Sequence, residues 1–466
     1  MKGKKFVIVG AGISGLVTAF YLKRKIEQEN RNDSILLLEQ DSRVGGHIQS
    51  IKDQGFIFDG GPRGFLAEGR RTLSLCKELG IWNKIQTSRD ESRIRYIWRN
   101  NTLNPLPSKP TDIFTSKIIR FKEIKTVLGE YFKKSSAPSD DESVADFFTR
   151  RFSAEILDNF AELLITGVYA GDPKKLSAKS IFPKLKELEG QYGSILKGFI
   201  KSKKQKPENH FDTDIMSIKK TKLVSFNEGM ETIVTALKEN LDQIIKTKVN
   251  IKNIAFQENN SSTILYEHNG SQIKTDFDKI IFATPAYLTA EILKSSHPQL
   301  AKLLNEIEYA HIHVVCLGYH KKVHQYKGFG FLSPRKEKLK MLGCIWNEMV
   351  FPSLAPEGEV NITAMYGGAC HPEMKDWDNA KLIYEVRKEL ELTMKIKEEP
   401  DAIEIFKYQK GIPQYNIGYQ KIIDNIFEIL KKNPNIFLTG SYINGVGIND
   451  CVKNAYNLIR EFNLER

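Results

Sequence analysis

The sequence predicts an α/β fold whose parallel sheet is assembled from segments that lie far apart in the chain. Three observations support this prediction: a glycine-rich turn follows the first strand, a second strand ends in an acidic residue, and buried-type strands recur at 279–285 and 435–440. The 466 residues, of which 41% are hydrophobic, provide enough apolar material for two or three domains. No uninterrupted apolar stretch approaches the roughly 18 residues that cross a bilayer, so a soluble or peripheral protein is expected.

The first strand, 6–9, is a β-branched and aromatic run that leads into a glycine-rich turn and then an apolar helix. The turn consists of Gly10, Ala11, Gly12, Ile13, Ser14 and Gly15. Gly10 permits the tight turn, Gly12 lets the backbone approach a pyrophosphate, and Gly15 lets the helix pack against the strand. Free N–H groups at the start of the helix attract the anion. This pattern is typical of a Rossmann-like dinucleotide-binding unit.

The second strand, 35–38, ends in Glu39, a carboxylate acceptor for ribose hydroxyls that also disfavours a 2′-phosphate. NAD and FAD share these features, so the residues beyond Glu39 must discriminate between them. The segment 43–46 places an arginine and two glycines where the backbone would approach a pyrophosphate and a flavin side chain, and 60–64 adds a second glycine-rich turn. This Glu-x3-Arg-x-Gly-Gly extension resembles that of FAD-containing amine oxidases and therefore favours FAD.

Two distant segments are expected to complete the same domain. The strand at 279–285 ends in a proline-stopped turn, and a hairpin around Asn259, Asn260 and Asn269-Gly270 precedes it. The strand at 435–440 is followed by a glycine-rich segment that opens the last helix. The N-terminus of such a helix can stabilise negative charge on a reduced flavin. The nucleotide-binding domain is therefore predicted to consist of three separated pieces.

The net charge of +12 is concentrated in one region, because residues 91–207 contain 22 Lys and Arg against 14 Asp and Glu. A surface that faces anionic lipid, a surface that faces another anionic ligand and a plain solvated surface all fit this excess. Nucleic acid is not an expected partner, since no arginine-rich arm, zinc finger or RNP-like pattern is present. Within the region, 117–134 predicts a basic amphipathic helix that either lies on a membrane or packs on its own domain.

Residues 301–430 predict a strand-rich unit with one helix near 380–395. The predicted strands are 311–319, 329–332, 341–346 and 360–366. A sheet presented to the flavin would form a substrate cavity with an apolar lining. His311 and His313 stand in this unit, but no carboxylate or cysteine cluster completes a coordination set, so no metal site is predicted. The five cysteines are scattered without CxxC spacing and are expected to be reduced thiols.

Motifs spread over the whole chain carry a more specific resemblance. They are Gly-Pro-Arg-Gly at 61–64, Arg-Thr-Leu at 71–73, Gly-Val-Tyr-Ala-Gly-Asp at 167–172, Gly-Phe-Gly at 328–330, Gly-Gly at 367–368, Ile-Pro-Gln-Tyr at 412–415 and Gly-Val-Gly-Ile-Asn-Asp-Cys at 445–451. With these motifs the chain resembles the oxygen-dependent protoporphyrinogen oxidases, in particular the animal-type members.

The resemblance implies an α/β protein with a discontinuous Rossmann-like FAD-binding domain, an α+β substrate domain and an inserted helical membrane-docking domain. The corresponding boundaries are 1–90, 208–300 and 431–466 for FAD binding, 91–207 for the helical domain and 301–430 for the substrate domain.

Carried over to matching positions, the resemblance also implies two sets of contacts. The flavin contacts would be Gly10, Ala11, Gly12, Ile13, Ser14, Gly15, Glu39, Gln40, Arg43, His47, Gly61, Pro62, Arg63, Gly64, Val249, Val446, Gly447 and Ile448. The apolar walls of the substrate site would be Phe329, Gly330, Leu332, Ile345 and Met365. Arg95 matches the arginine that pairs with a propionate, and Arg93 and Arg99 are close alternatives. At His47, relatives often carry another side chain.

The implied reaction is the FAD-dependent oxidation of protoporphyrinogen IX to protoporphyrin IX. Six hydrogens are removed in three flavin cycles, and oxygen is reduced to peroxide in each. The sequence contains no evident base and no cysteine motif for covalent flavin, so non-covalent FAD and no certain catalytic side chain are expected. The alternatives are coproporphyrinogen III oxidation, a flavin amine oxidase, and an FAD protein that only scaffolds haem enzymes.

The resemblance further implies a porphyrinogen substrate, molecular oxygen and a peripheral membrane surface as partners. The expected location is cytoplasmic, at the inner face of the membrane. The reactivity of the porphyrin product favours a ferrochelatase partner, and the sequence leaves open whether the protein forms a homodimer.

Overall fold

The structure is a computed structural model that describes residues 3–107, 121–134, 141–202, 211–257 and 262–462, without the side chains of 159, 160, 163 and 164. Several predicted features lie partly or wholly outside the described residues. They are the turn at Asn259 and Asn260, the first part of the basic helix at 117–120, most of a loop that the sequence predicts at 135–142 and most of a linker that it predicts at 201–207.

The strands of the described residues are β1 Lys5–Val9, β2 Ser34–Leu38, β3 Ser50–Asp53, β4 Phe56–Asp59, β5 Phe65–Leu66, β6 Ile85–Thr87, β7 Tyr96–Arg99, β8 Thr102–Pro105, β9 Leu223–Phe226, β10 Ile245–Lys246, β11 Asn250–Ala255, β12 Ser262–His268, β13 Ser271–Phe277, β14 Lys279–Phe282, β15 Tyr309–Tyr319, β16 Gly330–Leu332, β17 Met341–Trp346, β18 Val360–Gly367, β19 Ala402–Pro413 and β20 Ile436–Leu438.

The α-helices are α1 Ile13–Gln28, α2 Arg70–Glu78, α3 Phe121–Gly129, α4 Val144–Arg151, α5 Ala154–Ile156, α6 Glu162–Tyr169, α7 Ala178–Ile181, α8 Pro183–Tyr192, α9 Ile195–Ser202, α10 Thr213–Ser217, α11 Glu231–Leu241, α12 Ala286–Leu293, α13 Pro298–Asn305, α14 Asn347–Val350, α15 Asn379–Met394, α16 Tyr419–Lys431 and α17 Ile448–Glu461. A π-helical turn at Leu157–Ala161 joins α5 to α6.

The central sheet is parallel and has the strand order β10-β2-β1-β14-β20. Its strands come from widely separated parts of the chain, which confirms the predicted parallel sheet of distant segments. Side chains alternate between two cores because successive residues of a strand point to opposite faces. Phe6 and Ile8 pack with α1, α11 and α17, whereas Val7 and Val9 pack with β11, β12 and α12. The carboxyl ends of all five strands meet at one edge, where ligands of open α/β sheets bind.

A second sheet has seven strands in the order β19-β15-β18-β17-β16-β7-β8. Helix α15 covers one of its faces, where Leu382, Val386 and Leu390 pack against Val315 and Ile362. The four strands and the helix predicted for residues 301–430 are present, and β19 is an additional strand.

The strands β7 and β8, at one end of the second sheet, belong to it although the range 91–207 was expected to be helical. Residues 96–98 are Tyr, Ile and Trp, which favour an extended, half-buried surface. The other edge of the second sheet continues towards the central domain, because β15 and β19 pack against Phe56 and Phe58 of β4.

Helices α3 to α9 form a separate unit around a buried ion network. Glu130 is fully buried, forms an ion pair with Arg151 and accepts hydrogen bonds from the backbone N–H groups of Ile195 and Leu196. Arg150 donates to Glu189 at 2.6 Å. Part of the basic excess of this region is therefore internal. No helix in the described part of the chain is long and apolar enough to cross a membrane.

Candidate flavin and substrate sites

The glycine-rich turn between β1 and α1 has the geometry that its spacing predicted. Gly10 has φ +96°, and α1 begins at Ile13 with Gly12 as its N-cap. A Cβ atom on Gly15 would lie 1.9 Å from the carbonyl oxygen of Gly10, so the helix and the turn are in backbone contact. A Cβ atom on Gly12 would meet no heavy atom within 4 Å. This open space beside the start of a helix fits a pyrophosphate.

The segment after Glu39 lies directly against this turn. The N–H of Gly45 donates to the carbonyl of Ala11 at 2.8 Å, and Gly46 has φ +57°. The guanidinium of Arg43 donates to the carbonyl oxygens of Gly46 and Ile48 at 2.7 and 2.5 Å. Arg43 therefore shapes the second glycine loop by binding its backbone, and the two glycine loops lie in contact with each other.

Glu39 stands at the end of β2, beside the glycine turn. Its carboxylate accepts hydrogen bonds from the N–H groups of Ala11 at 2.7 Å and Asp41 at 2.9 Å. Burial raises the pKa of this carboxyl and the two backbone donors oppose the rise. The carbonyl of Glu39 accepts from the N–H of Val249, which places Val249 beside the exposed residue Gln40. These residues surround the position that an adenosine ribose takes in a dinucleotide-binding unit.

The third loop runs from Gly60 to Gly64 and includes Pro62. A Cβ atom on Gly61 would lie 2.1 Å from the carbonyl oxygen of His47, so these two loops are also in contact. Arg63 donates to the carbonyl of Gly61 at 3.0 Å, while its buried Nε atom has no hydrogen-bond partner. An unpartnered buried donor at this point fits a polar ligand atom.

The ring of His47 contacts the ring of Tyr408, with 4.5 Å between the centroids. Desolvation of the ring by the surrounding protein and the positive charge of Arg43 lower the pKa of His47, which favours a neutral imidazole. Tyr408 is on β19, so this contact connects the second glycine loop to the edge of the second sheet. Tyr408 was not predicted as a site residue, because β19 itself was not predicted.

The C-terminal segment reaches the same edge of the central sheet through α17. Gly447 caps this helix, and its N–H donates to the carboxylate of Asp450 at 3.1 Å. Val446 is half-buried, Gly447 is exposed and Ile448 is buried at the first helical position. Because α17 packs along α1, the N-termini of both helices lie at this edge. The predicted flavin residues thus lie on loops and helix ends at the carboxyl edge of the central sheet, and their glycine-rich, donor-rich surface fits an FAD molecule.

The predicted apolar residues of the substrate site share one face of the second sheet. Gly330 pairs with Ile345, and Gly343 lies between Leu332 and Met365 in the pairing of β16, β17 and β18. The opposite face of these strands is buried beneath α15. Leu332, Ile345 and Met365 are half-buried. The structure therefore brings them together as a continuous apolar wall.

Two glycines of this wall were not predicted as site residues. A Cβ atom on Gly343 would lie 2.6 Å from the side chain of Leu332, and one on Gly167 of α6 would lie 3.6 Å from it. Gly167 thus brings the helical unit to the apolar wall. Gly167 could have been predicted as a site residue, because it is the first residue of the Gly-Val-Tyr-Ala-Gly-Asp motif.

Arg95 stands beside the apolar wall. Its guanidinium carbon lies 5.2 Å from the centroid of the Phe329 ring, and the residue is exposed. Among the described residues, no carboxylate lies within ion-pair distance of Arg95. Arg93 differs, because it forms an ion pair with Asp90 at 2.9 Å. Of these two arginines, Arg95 has the guanidinium that is available to an anionic substrate group.

Comparisons with a family profile and with known proteins agree on one family. A sequence profile described as flavin containing amine oxidoreductase matches residues 13–457. A coproporphyrinogen III oxidase of Bacillus subtilis is 29% identical, with 97% of this chain and 96% of the relative covered. A protoporphyrinogen oxidase of Dictyostelium discoideum is 31% identical, with 99% of both chains covered. The chloroplastic protoporphyrinogen oxidase 1 of Spinacia oleracea is 29% identical, with 98% of this chain and 83% of the relative covered.

Solved structures share the fold. A candidate protoporphyrinogen oxidase of Exiguobacterium sp. superimposes with a TM-score of 0.82 at 22% identity, with both chains fully covered. A wild-type putrescine oxidase bound to putrescine superimposes with a TM-score of 0.68 at 15% identity, with 98% of each chain covered. The chain belongs to the family of flavin-containing amine oxidoreductases, and its cofactor is FAD.

Proposed function

We propose that the protein oxidises protoporphyrinogen IX to protoporphyrin IX, with FAD as the electron acceptor and oxygen as the terminal oxidant. The observation that carries this proposal is the apolar wall with a guanidinium beside it. Near-full-length similarity to proteins named protoporphyrinogen oxidase supports the same substrate. A porphyrinogen combines a large apolar ring system with propionate groups, which matches a wall and one available arginine.

In this proposal the wall orients the macrocycle and Arg95 fixes one edge of it. Phe329 and Ile345 pack beside Ile57 of β4, so the wall is continuous with the FAD-binding domain. Arg95 would pair with a propionate through a charge-assisted hydrogen bond. Bound FAD supplies a two-electron acceptor for each of the three oxidation cycles. Protons on the macrocycle nitrogens can leave to solvent, so positioning is the main task of the side chains.

The FAD contacts that we propose come from the three glycine-rich loops, the acid after β2 and the start of α17. Glycine N–H groups and the start of α1 would bind the pyrophosphate, and Glu39 would accept from a ribose. The start of α17, at 446–448, would face the electron-rich end of the flavin. His47 and Arg63 would lie between the flavin and the second sheet.

Coproporphyrinogen III is the alternative substrate, since a similar protein of Bacillus subtilis is named for it. Its four propionates would require more available cations than the two propionates of protoporphyrinogen. Arg93, two residues from Arg95, already forms an ion pair with Asp90 at 2.9 Å. This difference favours protoporphyrinogen.

The proposal can be tested by following the flavin spectrum without oxygen. Anaerobic addition of protoporphyrinogen IX to the FAD-loaded protein is expected to bleach the flavin absorbance, and admission of air is expected to restore it. A protein that retains its oxidised spectrum with both porphyrinogens would be a scaffold or an amine oxidase. Bleaching by an amine such as putrescine, with no response to either porphyrinogen, would identify the latter.

We also propose that the helical unit binds the inner face of an anionic membrane from the cytoplasm. Large apolar side chains are exposed here, with Phe121 at 79%, Phe132 at 81% and Ile200 at 66%. They lie on α3, on the turn that follows it and on α9, and this turn packs against α9. Lys197 lies 5.2 Å from the ring of Tyr131, so basic groups are interspersed with the apolar ones. Apolar side chains next to lysines match the chemistry of anionic lipids.

Replacing Phe132 and Ile200 together by aspartate is expected to weaken binding to phosphatidylserine-containing vesicles at least about tenfold, because two apolar side chains that would become buried in the lipid are lost. Co-sedimentation with such vesicles measures this change. The matched control is Tyr384→Asp, on the exposed side of α15 at 59% exposure, which should leave vesicle binding unchanged. Equal binding by the double variant and the wild type would contradict the membrane proposal.

A further inference from the structure

The hydroxyl group of Tyr415 makes two hydrogen bonds to the loop that precedes α17. It donates to the carbonyl oxygen of Ser441 at 2.6 Å and accepts from the N–H of Gly445 at 2.9 Å. Gly445 has φ +125°, a conformation that side-chain-bearing residues rarely adopt. One phenol therefore connects the two ends of the segment 441–445, which leads directly to the start of α17.

Tyr415 is itself held from the opposite side by the helical unit. Its carbonyl accepts a hydrogen bond from the N–H of Ser177 at 2.8 Å, and the adjacent Asn416 forms a β-bridge with Leu176. Its ring is 2% exposed and stacks on Tyr419, with 4.2 Å between the centroids. The position of the phenol is thus fixed by the backbone and by ring stacking, independently of the loop that it binds.

A second tyrosine strengthens the same connection, since the hydroxyl of Tyr419 donates to the carbonyl of Tyr442. Burial raises the pKa of Tyr415 well above its ordinary value, so the phenol stays neutral and keeps its proton for Ser441. Without the phenol oxygen, the N–H of Gly445 would lose its partner in a half-buried site, and the end of the loop next to α17 would be held less firmly.

We infer that Tyr415 is a positioning residue for the flavin, acting through the loop 441–447. By holding Gly445, it fixes the direction in which Val446, Gly447 and the start of α17 face the cofactor. This inference rests on the proposed placement of FAD against that loop. It does not depend on which porphyrinogen is oxidised.

The test uses Tyr415→Phe, which removes one oxygen atom and keeps the stacked ring. FAD binding to the apoprotein, measured by quenching of flavin fluorescence, is expected to weaken about tenfold, as for an orphaned backbone donor. The midpoint potential of the bound flavin is expected to become more negative, because the N-terminus of α17 would stabilise the reduced, negatively charged form less well.

The matched control is Tyr309→Phe, a half-buried tyrosine that packs against the same hydrophobic cluster as Tyr415. The hydroxyl of Tyr309 accepts from the N–H of Ala286 at 2.9 Å, so this variant also orphans one backbone donor, but at the start of α12 and not in the loop. It should lower the melting temperature without changing FAD affinity or flavin potential. If Tyr415→Phe keeps the FAD affinity within about twofold of the wild type and leaves the flavin midpoint potential unchanged, the inference is wrong.

A measurement on the wild type covers the case in which Tyr415→Phe does not fold. In hydrogen exchange of the FAD-free protein, the amide of Gly445 is expected to be protected, because its partner is a phenol and not the cofactor. Exchange at the rate of an exposed amide would overturn the inference. A wild type that binds FAD but oxidises no porphyrinogen would instead overturn only the proposed substrate.

Discussion

Replacing Gly12 by alanine is expected to weaken FAD binding about a hundredfold while leaving the folded apoprotein nearly as stable as the wild type. The backbone of Gly12, at φ −67°, suits alanine, and its added Cβ would meet no protein atom within 4 Å. That open space is where we place the pyrophosphate. Titration of the apoprotein with FAD and thermal unfolding of the apoprotein measure the two quantities separately.

The matched control is Gly15→Ala, three residues further along the same turn. Its Cβ would lie 1.9 Å from the carbonyl oxygen of Gly10, so the helix and the turn would have to separate. We expect this variant to lose both stability and FAD binding. If Gly12→Ala binds FAD like the wild type, the pyrophosphate does not lie on this turn.

Replacing Arg95 by alanine is expected to lower kcat/KM for protoporphyrinogen IX about tenfold to a hundredfold, the usual effect of losing a hydrogen bond between charged groups. FAD affinity should not change, because Arg95 lies beside the apolar wall and outside the glycine loops. Steady-state kinetics with a flavin titration of the same preparation measure both properties.

The control for this prediction is Arg93→Ala. Arg93 is two residues away and already bound to Asp90, so its loss should leave the kinetics within about twofold of the wild type. A larger effect of Arg93→Ala than of Arg95→Ala would show that the substrate carboxylate is bound by the other arginine.

The central sheet could be predicted from the sequence because its strands carry local signals. β1 and β2 flank a glycine fingerprint, and β14 and β20 are short apolar runs that end in proline or glycine. The strand β19 has no such signal, since Glu404, Lys407 and Lys410 interrupt its apolar residues. Three of the twelve residues of this strand are buried, and its pairing with β15 determines its conformation.

The candidate site was predictable where backbone conformation dictates the residue type. Gly10 and Gly15 are examples, since Gly10 has φ +96° and a Cβ atom on Gly15 would lie 1.9 Å from the carbonyl oxygen of Gly10. The contacts of Arg43 with its own loop and of Tyr415 with Gly445 were not predictable. They depend on which distant segments meet in the fold, and an isolated sequence motif does not contain that information.

The most direct test of the proposed substrate is the rate of porphyrin fluorescence increase in air. Purified protein would receive protoporphyrinogen IX and coproporphyrinogen III in parallel, with the autoxidation of each subtracted. We expect faster formation of protoporphyrin, because one available guanidinium beside an apolar wall suits the substrate with fewer carboxylates. Faster formation of coproporphyrin would contradict this specificity, and no increase with either, in a protein that holds FAD, would contradict porphyrinogen oxidation itself.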